Sequence, residues 1–192
     1  GYVRDPELVI NFYNERRKQL LDVEPNAGHT GLAELEKDFN VTVVTQNVDN
    51  LHERAGSTHV IHLHGELTKV CSSRDPYNPR YVRELKPEEY EVKMGDKAGD
   101  GSQLRPFIVW FGEAVPEIET AIGYVEKADI FVIIGTSMNV YPAAGLLNYV
   151  PRTAEVYLID PKPVDTHSMR QIHVIQKGAS EGVKELKTEI LH

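Results

Sequence analysis

The chain is 192 residues long, 41% hydrophobic and 26% charged, with a formal net charge of -8, which suits a soluble globular protein with one core and room for a small appended module. The acidic balance disfavours non-specific binding to nucleic acid or to an anionic membrane, and no apolar run approaches the roughly 18 residues of a membrane span. A single cysteine rules out an internal disulfide and, with no secretory leader visible, points to a cytoplasmic protein.

In chain order, Asp5-Pro6-Glu7 starts a helix: a capping aspartate, a proline in the first turn and an acid near the positive helix end. Leu8, Val9, Phe12 and Leu20 carry helical spacing to about Leu21. Pro25 and Gly28 interrupt, and a second helix follows from about Thr30 to Asp38. The apolar run 41–44 reads as a buried strand, 50–55 as a short helix closed by Gly56, and 60–63 as another short strand. Between Leu67 and Gln103 the texture changes. Pro76, Pro79 and Pro87, several charges and the glycines of 95–101 give no clean period, so 68–103 reads as an irregular small module. Regular alternation then returns, with strands at 107–111, 130–134, 156–159 and 173–175 and helices at 118–127, 142–149 and 180–191. Continuously apolar strands alternating with helices imply an α/β fold, a doubly wound parallel sheet of Rossmann-like type covered on both faces.

The chemistry concentrates in TQNVDNLHERAGSTHVIHLHGEL, from Thr45 to Leu67. Gln46, Asn47 and Asp49 follow strand 41–44, at the carboxyl end where open α/β sheets bind ligands; the bland reading of such a pair of amides is a turn. His62 and His64 are two apart at a strand end, which allows a metal pair, a core or surface histidine, or a general base, since imidazole titrates near neutrality. Gly65 permits a turn beside His64. Gly135-Thr136-Ser137 closes the strand 130–134, fitting either a phosphate or ribose site or a helix cap. Tyr13 and Arg16 share a helix face; together a phenol and a guanidinium can grip a carboxylate, although a solvated face is the ordinary alternative.

The 45–67 stretch resembles the sirtuin family of NAD-dependent protein-lysine deacylases, whose signature is a TQN-[IV]-D segment followed by a catalytic HG. GTSMNVYPAAG and VWFGE resemble further segments of that family, and FYNERRKQL resembles the Y-x-x-R element of its class III, bacterial-type members. The resemblance covers essentially the whole chain, as a single catalytic domain over 1–192 with the module at 68–103. It implies that His64 is the general base acting on a ribose hydroxyl of NAD. It implies further that Gln46, Asn47, Asp49, Gly135, Thr136, Ser137, Asp160 and Ala179 bind NAD, Asp160 standing where the family usually has asparagine. Val109, Phe111, Glu113 and Tyr141 would take the acyl-lysine peptide, which pairs by strand addition. Tyr13 and Arg16 would recognise succinyl- or malonyl-lysine. In the family the acyl oxygen displaces nicotinamide, and free lysine and O-acyl-ADP-ribose are released.

Two departures stand out. Family members commonly hold a structural zinc with four cysteines after the HG. Here only Cys71 is present and no histidine lies between His64 and Gln103, so no zinc of that kind is expected. The module must then hold by packing, through Tyr77, Tyr81, Leu85 and Tyr90. The family's amino-terminal GAG-x-S-x-x-SGI loop does not appear in the sequence, which reads as a member without its first segment. The partners expected are acyl-lysine proteins or peptides, with neither nucleic acid nor membrane. Two rival readings stay open: a non-catalytic NAD or ADP-ribose binding module, and a metal-dependent hydrolase built on His62 and His64.

Overall fold

A computed structural model describes residues 2–110, 112–135, 143–164 and 170–191. The chain divides into two compact units, one made of Gly1–Glu24, Thr45–Asn50 and His62–Pro116, the other of Pro25–Val44, Leu51–Ile61 and Glu117–His192. Among the described residues no helix is long and apolar enough to cross a membrane.

The first unit opens with α1 (Pro6–Leu20), where the Asp5 side chain accepts from the Leu8 amide as the cap residue should. Its buried face is not the one that Leu8 and Phe12 suggest. Those two are 65% and 54% exposed, whereas Ile10, Asn14, Arg17 and Leu20 are buried. The reason lies in main-chain bonds from two polar side chains. Asn14 Nδ2 donates to Val92 O (2.7 Å) and its Oδ1 accepts from Val92 N (2.9 Å). Arg17 donates from Nε to Leu67 O and from Nη1 to Tyr90 O, both at 2.7 Å. Burial pulls the Arg17 guanidinium down to about 10, which leaves it charged at neutral pH.

The stretch expected to be irregular contains strand structure. β3 (Gly65–Ser72) is the centre of an antiparallel sheet between β4 (Arg83–Glu84) and β5 (Leu104–Ile108). A register shift between Glu66 and Val70 breaks the two-residue period that would have disclosed it. The strand expected at 107–111 accordingly lies earlier and pairs antiparallel with β3. The packing is aliphatic rather than aromatic: Ile10, Val70, Leu85, Val92, Ala98 and Leu104 form the core, while Tyr77, Tyr81 and Tyr90 are only half-buried.

A hydrogen-bonded clasp joins the end of β3 to the loop before β5. The Ser72 hydroxyl donates to Asp100, meets Ser102 Oγ (2.9 Å) and accepts from the amides of Arg74 and Asp75; Ser102 N donates to Asp100 Oδ1 (3.0 Å). The hydrogen bonds from Ser102 and then Ser72 hold the Asp100 carboxyl down to about 2. The folded value lies below the ordinary 3.8, so the clasp contributes fully above that pH and is lost as pH falls through about 2. Asp100→Asn should therefore flatten the acid limb of urea-melt stability over that interval; an unchanged limb would refute the clasp.

In the second unit, α2 (Ala27–Glu34) starts earlier than the apolar spacing suggests because Asn26 caps it and His29 returns the bond to the Asn26 amide. A 3-10 turn continues it to Lys37. β1 (Val43–Thr45) and β2 (Val60–His62) pair as a two-stranded sheet, with α3 (Leu51–Arg54) between them in sequence. After α4 (Ile118–Val125) comes a parallel sheet of order β6 (Ile130–Ile134), β7 (Glu155–Ile159), β8 (His173–Ile175), with α5 (Ala143–Leu146) between β6 and β7 in sequence. α6 (Ala179–Ile190) follows, its Val183 and Leu186 packed with Tyr157, Ile159 and Ile175. β6 is half-buried throughout rather than buried on both faces; the central β7 takes the full burial. Position in the sheet decides this, since β6 (IFVII) is the more apolar of the two strands and still the less buried.

Candidate active site

Within the first unit the 45–50 loop is held by main-chain bonds on two sides. Leu63 N donates to Thr45 O (2.9 Å), and Leu67 N, inside the β3 irregularity, donates to Val48 O (2.7 Å). The loop's own start is fixed by the Thr45 hydroxyl accepting from Asn47 N (3.0 Å). Buried His62 turns Nδ1 to Asn47 O (3.1 Å); a carbonyl only accepts, so Nδ1 carries the proton. His62 is thus a brace for the loop, and its Nε2 lies 3.8 Å from Glu66 Oε1.

His64 is half-buried. Its carbonyl accepts from Val109 N (2.9 Å), so the segments holding Asn47 and Val109 are both tied to the 62–64 turn. Gly65 allows this. Its φ is +94°, and a Cβ there would stand 2.1 Å from Phe107 O, a contact no side chain tolerates. Half-buried Gln46 has its Nε2 buried with no hydrogen-bond partner among the described residues. A buried unpaired donor costs about 1–3 kcal/mol, so this amide fits a ligand acceptor such as a ribose oxygen. Asn47 is exposed and Asp49 half-buried.

On the far side, Trp110 N donates to Glu113 Oε1 (2.6 Å) and Glu113 N to Trp110 O (2.9 Å), which closes a turn. On α1, Tyr13 is half-buried and Arg16 exposed. Both lean on Phe12: the Tyr13 ring lies edge-on to it at 5.1 Å, and the Arg16 guanidinium is 5.9 Å from its centroid.

In the second unit, Gly135 ends β6 with φ +62°, its amide donating to Ile159 O (3.0 Å). Asp160 uses Oδ1 to accept from Lys162 N (2.8 Å), a local turn bond. Ala179 opens α6 after Gly178, which offers no side-chain cap. Phe111, Thr136, Ser137 and Tyr141 lie outside the described residues.

Comparison with known proteins decides the family. A model of the Sir2 family matches residues 2–142. The chain belongs to the Sir2 family. This sirtuin is 85% identical over 187 residues to a Bacteroides thetaiotaomicron protein named NAD-dependent protein deacylase, covering 97% of the chain and 80% of that protein. A Helicobacter pylori protein of the same name is 47% identical over 191 residues, covering 100% and 81%. Among solved structures, a Sir2 homolog–NAD complex aligns with TM-score 0.83 at 35% identity, over 99% of the chain and 74% of that chain. A Sir2–p53 peptide–NAD+ complex aligns with TM-score 0.77 at 29% identity, over 98% and 79%. The Rossmann-like α/β fold of the sirtuin follows from these neighbours and from its parallel sheet.

The donor set of this sirtuin's small module does not suit the four-ligand zinc of the family. Its one thiol, Cys71, is fully buried, directs Sγ to Pro106 O (3.7 Å), and is pushed up to about 11 by burial. One thiol cannot supply the four Cys or His ligands that such a closed site needs.

Sequence reading missed three polar residues that build this site: Asn14 and Arg17 on α1, and Arg105 on β5, whose Nη2 lies 3.6 Å from Glu113 Oε1. For the first two a signal existed, because 10, 14, 17 and 20 have the spacing of one helix face.

Proposed function

We propose that this chain is an NAD-dependent protein-lysine deacylase in which His64 is the general base. The observation that carries the reading is the 45–67 assembly. The His64 main chain is fixed by the Val109 bond, and the adjoining loop offers a buried Gln46 amide that no group among the described residues meets. Gln46, Asn47 and Asp49 would hold the nicotinamide-ribose end of NAD, and Gly135, Thr136, Ser137, Asp160 and Ala179 the remainder. When bound, NAD supplies a ribose carbon activated by its nicotinamide leaving group.

The chain's own residues do the rest. The His64 imidazole takes a proton from a ribose hydroxyl. Val109, Phe111, Glu113 and Tyr141 hold the acyl-lysine peptide, with main-chain pairing that accepts varied sequences. A cytoplasmic setting goes with this reading, since a lone thiol belongs with a reducing compartment.

Tyr13 and Arg16 would receive an acidic acyl group, Arg16 leaving its place over Phe12 to pair with the carboxylate. Arg16→Met should lower kcat/KM for a succinyl-lysine peptide by about 10–100-fold, the worth of a charge-assisted hydrogen bond, with acetyl-lysine turnover little changed. Parallel losses on both peptides would remove the specificity claim.

The deciding experiment incubates the protein with NAD and matched acetyl- and succinyl-lysine peptides, followed by mass spectrometry. NAD-dependent release of either acyl group supports the enzyme. NAD binding with no nicotinamide release favours the non-catalytic binding module.

A further inference from the structure

We propose that Arg105 is a positioning residue for the acyl-peptide side of the site, setting the turn between Trp110 and Glu113. The proposal rests on the deacylase reading. Arg105 stands on β5 opposite Cys71, 4% exposed, where an apolar residue would be ordinary. Its hydrogen bonds to the main chain run forward along its own strand. Nε donates to Pro106 O (3.2 Å) and Nη2 to Ile108 O (2.8 Å). The guanidinium carbon lies 3.8 Å from the Trp110 ring centroid, and Nη2 lies 3.6 Å from Glu113 Oε1.

One cation thus touches the end of β5, the indole and the carboxylate that closes the turn. Tyr2 also meets Trp110, with ring centroids 5.0 Å apart. The indole is fixed by two groups, and Val109, next to it, carries the bond to His64 O.

A stabilising role alone does not account for this arrangement. The approach to Glu113 is long, and buried charges are weak evidence for stability because desolvation offsets the attraction. What the fork geometry does supply is a fixed direction for several partners at once, which an ammonium cannot copy. Arg105 therefore acts on conformation, holding one arrangement of Val109, Trp110 and Glu113 against others these residues could adopt.

Trp110 is the single tryptophan, so intrinsic fluorescence reads this turn directly. Arg105→Met should shift Trp110 emission and raise the acyl-peptide KM by about fivefold or more, the scale of a desolvated cation–π contact. The KM for NAD should move by less than about twofold. Arg105→Lys should recover part of the peptide KM. Trp110→Leu should raise the peptide KM too, and the double variant should be no worse than Arg105→Met alone, since both act through one contact.

A folded Arg105→Met protein with shifted emission and an unchanged peptide KM overturns the proposal. So does a fall in kcat and melting temperature together with an equal rise in both KM values. If Arg105→Met does not fold, Arg105→Lys decides on the same criteria, and Trp110→Leu decides on the two KM values, kcat and melting temperature. If the wild-type protein turns over no acyl-peptide, the deacylase reading fails by itself. Peptide titration of Trp110 emission then still tests whether Arg105 governs peptide affinity.

Discussion

His64→Ala is expected to lower NAD-dependent deacylation by about a hundredfold to ten-thousandfold, the usual range for a lost general base. The loss should fall on kcat. The loop carrying Gln46, Asn47 and Asp49 is held by the main chain of Leu63 and Leu67 and by the His62 ring, not by the His64 side chain. NAD affinity, measured by calorimetry, should therefore persist in the variant. Near-normal turnover by His64→Ala would remove the catalytic assignment. Loss of NAD binding together with turnover would instead assign His64 to the binding surface.

Gly65→Ala should be the most damaging single methyl in the first unit. The new Cβ would meet Phe107 O at 2.1 Å and Ile108 Cα at 2.8 Å, at a φ of +94° that L-residues rarely adopt. Left-handed strain of about 1–2 kcal/mol adds to overpacking of about 1–3 kcal/mol. A total near 3 kcal/mol corresponds to a fall of roughly 6–12 °C in melting temperature for a chain of this size. β5 must move away from β3 to admit the methyl, and the Val109–His64 bond goes with it, so turnover should fall beyond what instability explains. A variant melting like the wild type would mean the two strands can separate there at no cost, and the account of the HG pair would fail.

How much of this the sequence disclosed depends on where the information lies. α1 and its cap were legible because Asp5 and Pro6 act locally. The reach of α6 was legible from its apolar spacing. The neighbourhood of His64 was legible because its parts are contiguous from 45 to 67. β3 was hidden, because its register shift interrupts the alternation that marks a strand. β6 and β7 read alike as apolar runs, yet strand order makes one half-buried and the other buried. Arg17 sits in an Arg-Arg-Lys run whose members look interchangeable, and only the tertiary partners Leu67 and Tyr90 separate it from Arg16. Arg105 has the same character: its worth comes from Trp110 and Glu113, and nothing in LRPF announces it.

The bonds that dock α1 on the small module carry a consequence for how this region can diverge. Asn14 and Arg17 reach the carbonyls of Val92, Tyr90 and Leu67 and the amide of Val92, and these bonds engage no side chain of the module. Backbone atoms are the same whatever residue bears them. Outside the aliphatic core that Ile10 shares with Val70, Leu85, Val92, Ala98 and Leu104, the module can therefore exchange its side chains while the helix bearing Tyr13 and Arg16 stays in place. Drift in one part of the sequence is thereby uncoupled from selection on acyl-group choice in the other. Grafting a foreign module of equal backbone path that keeps the aliphatic core around Ile10 should leave the preference of the enzyme intact.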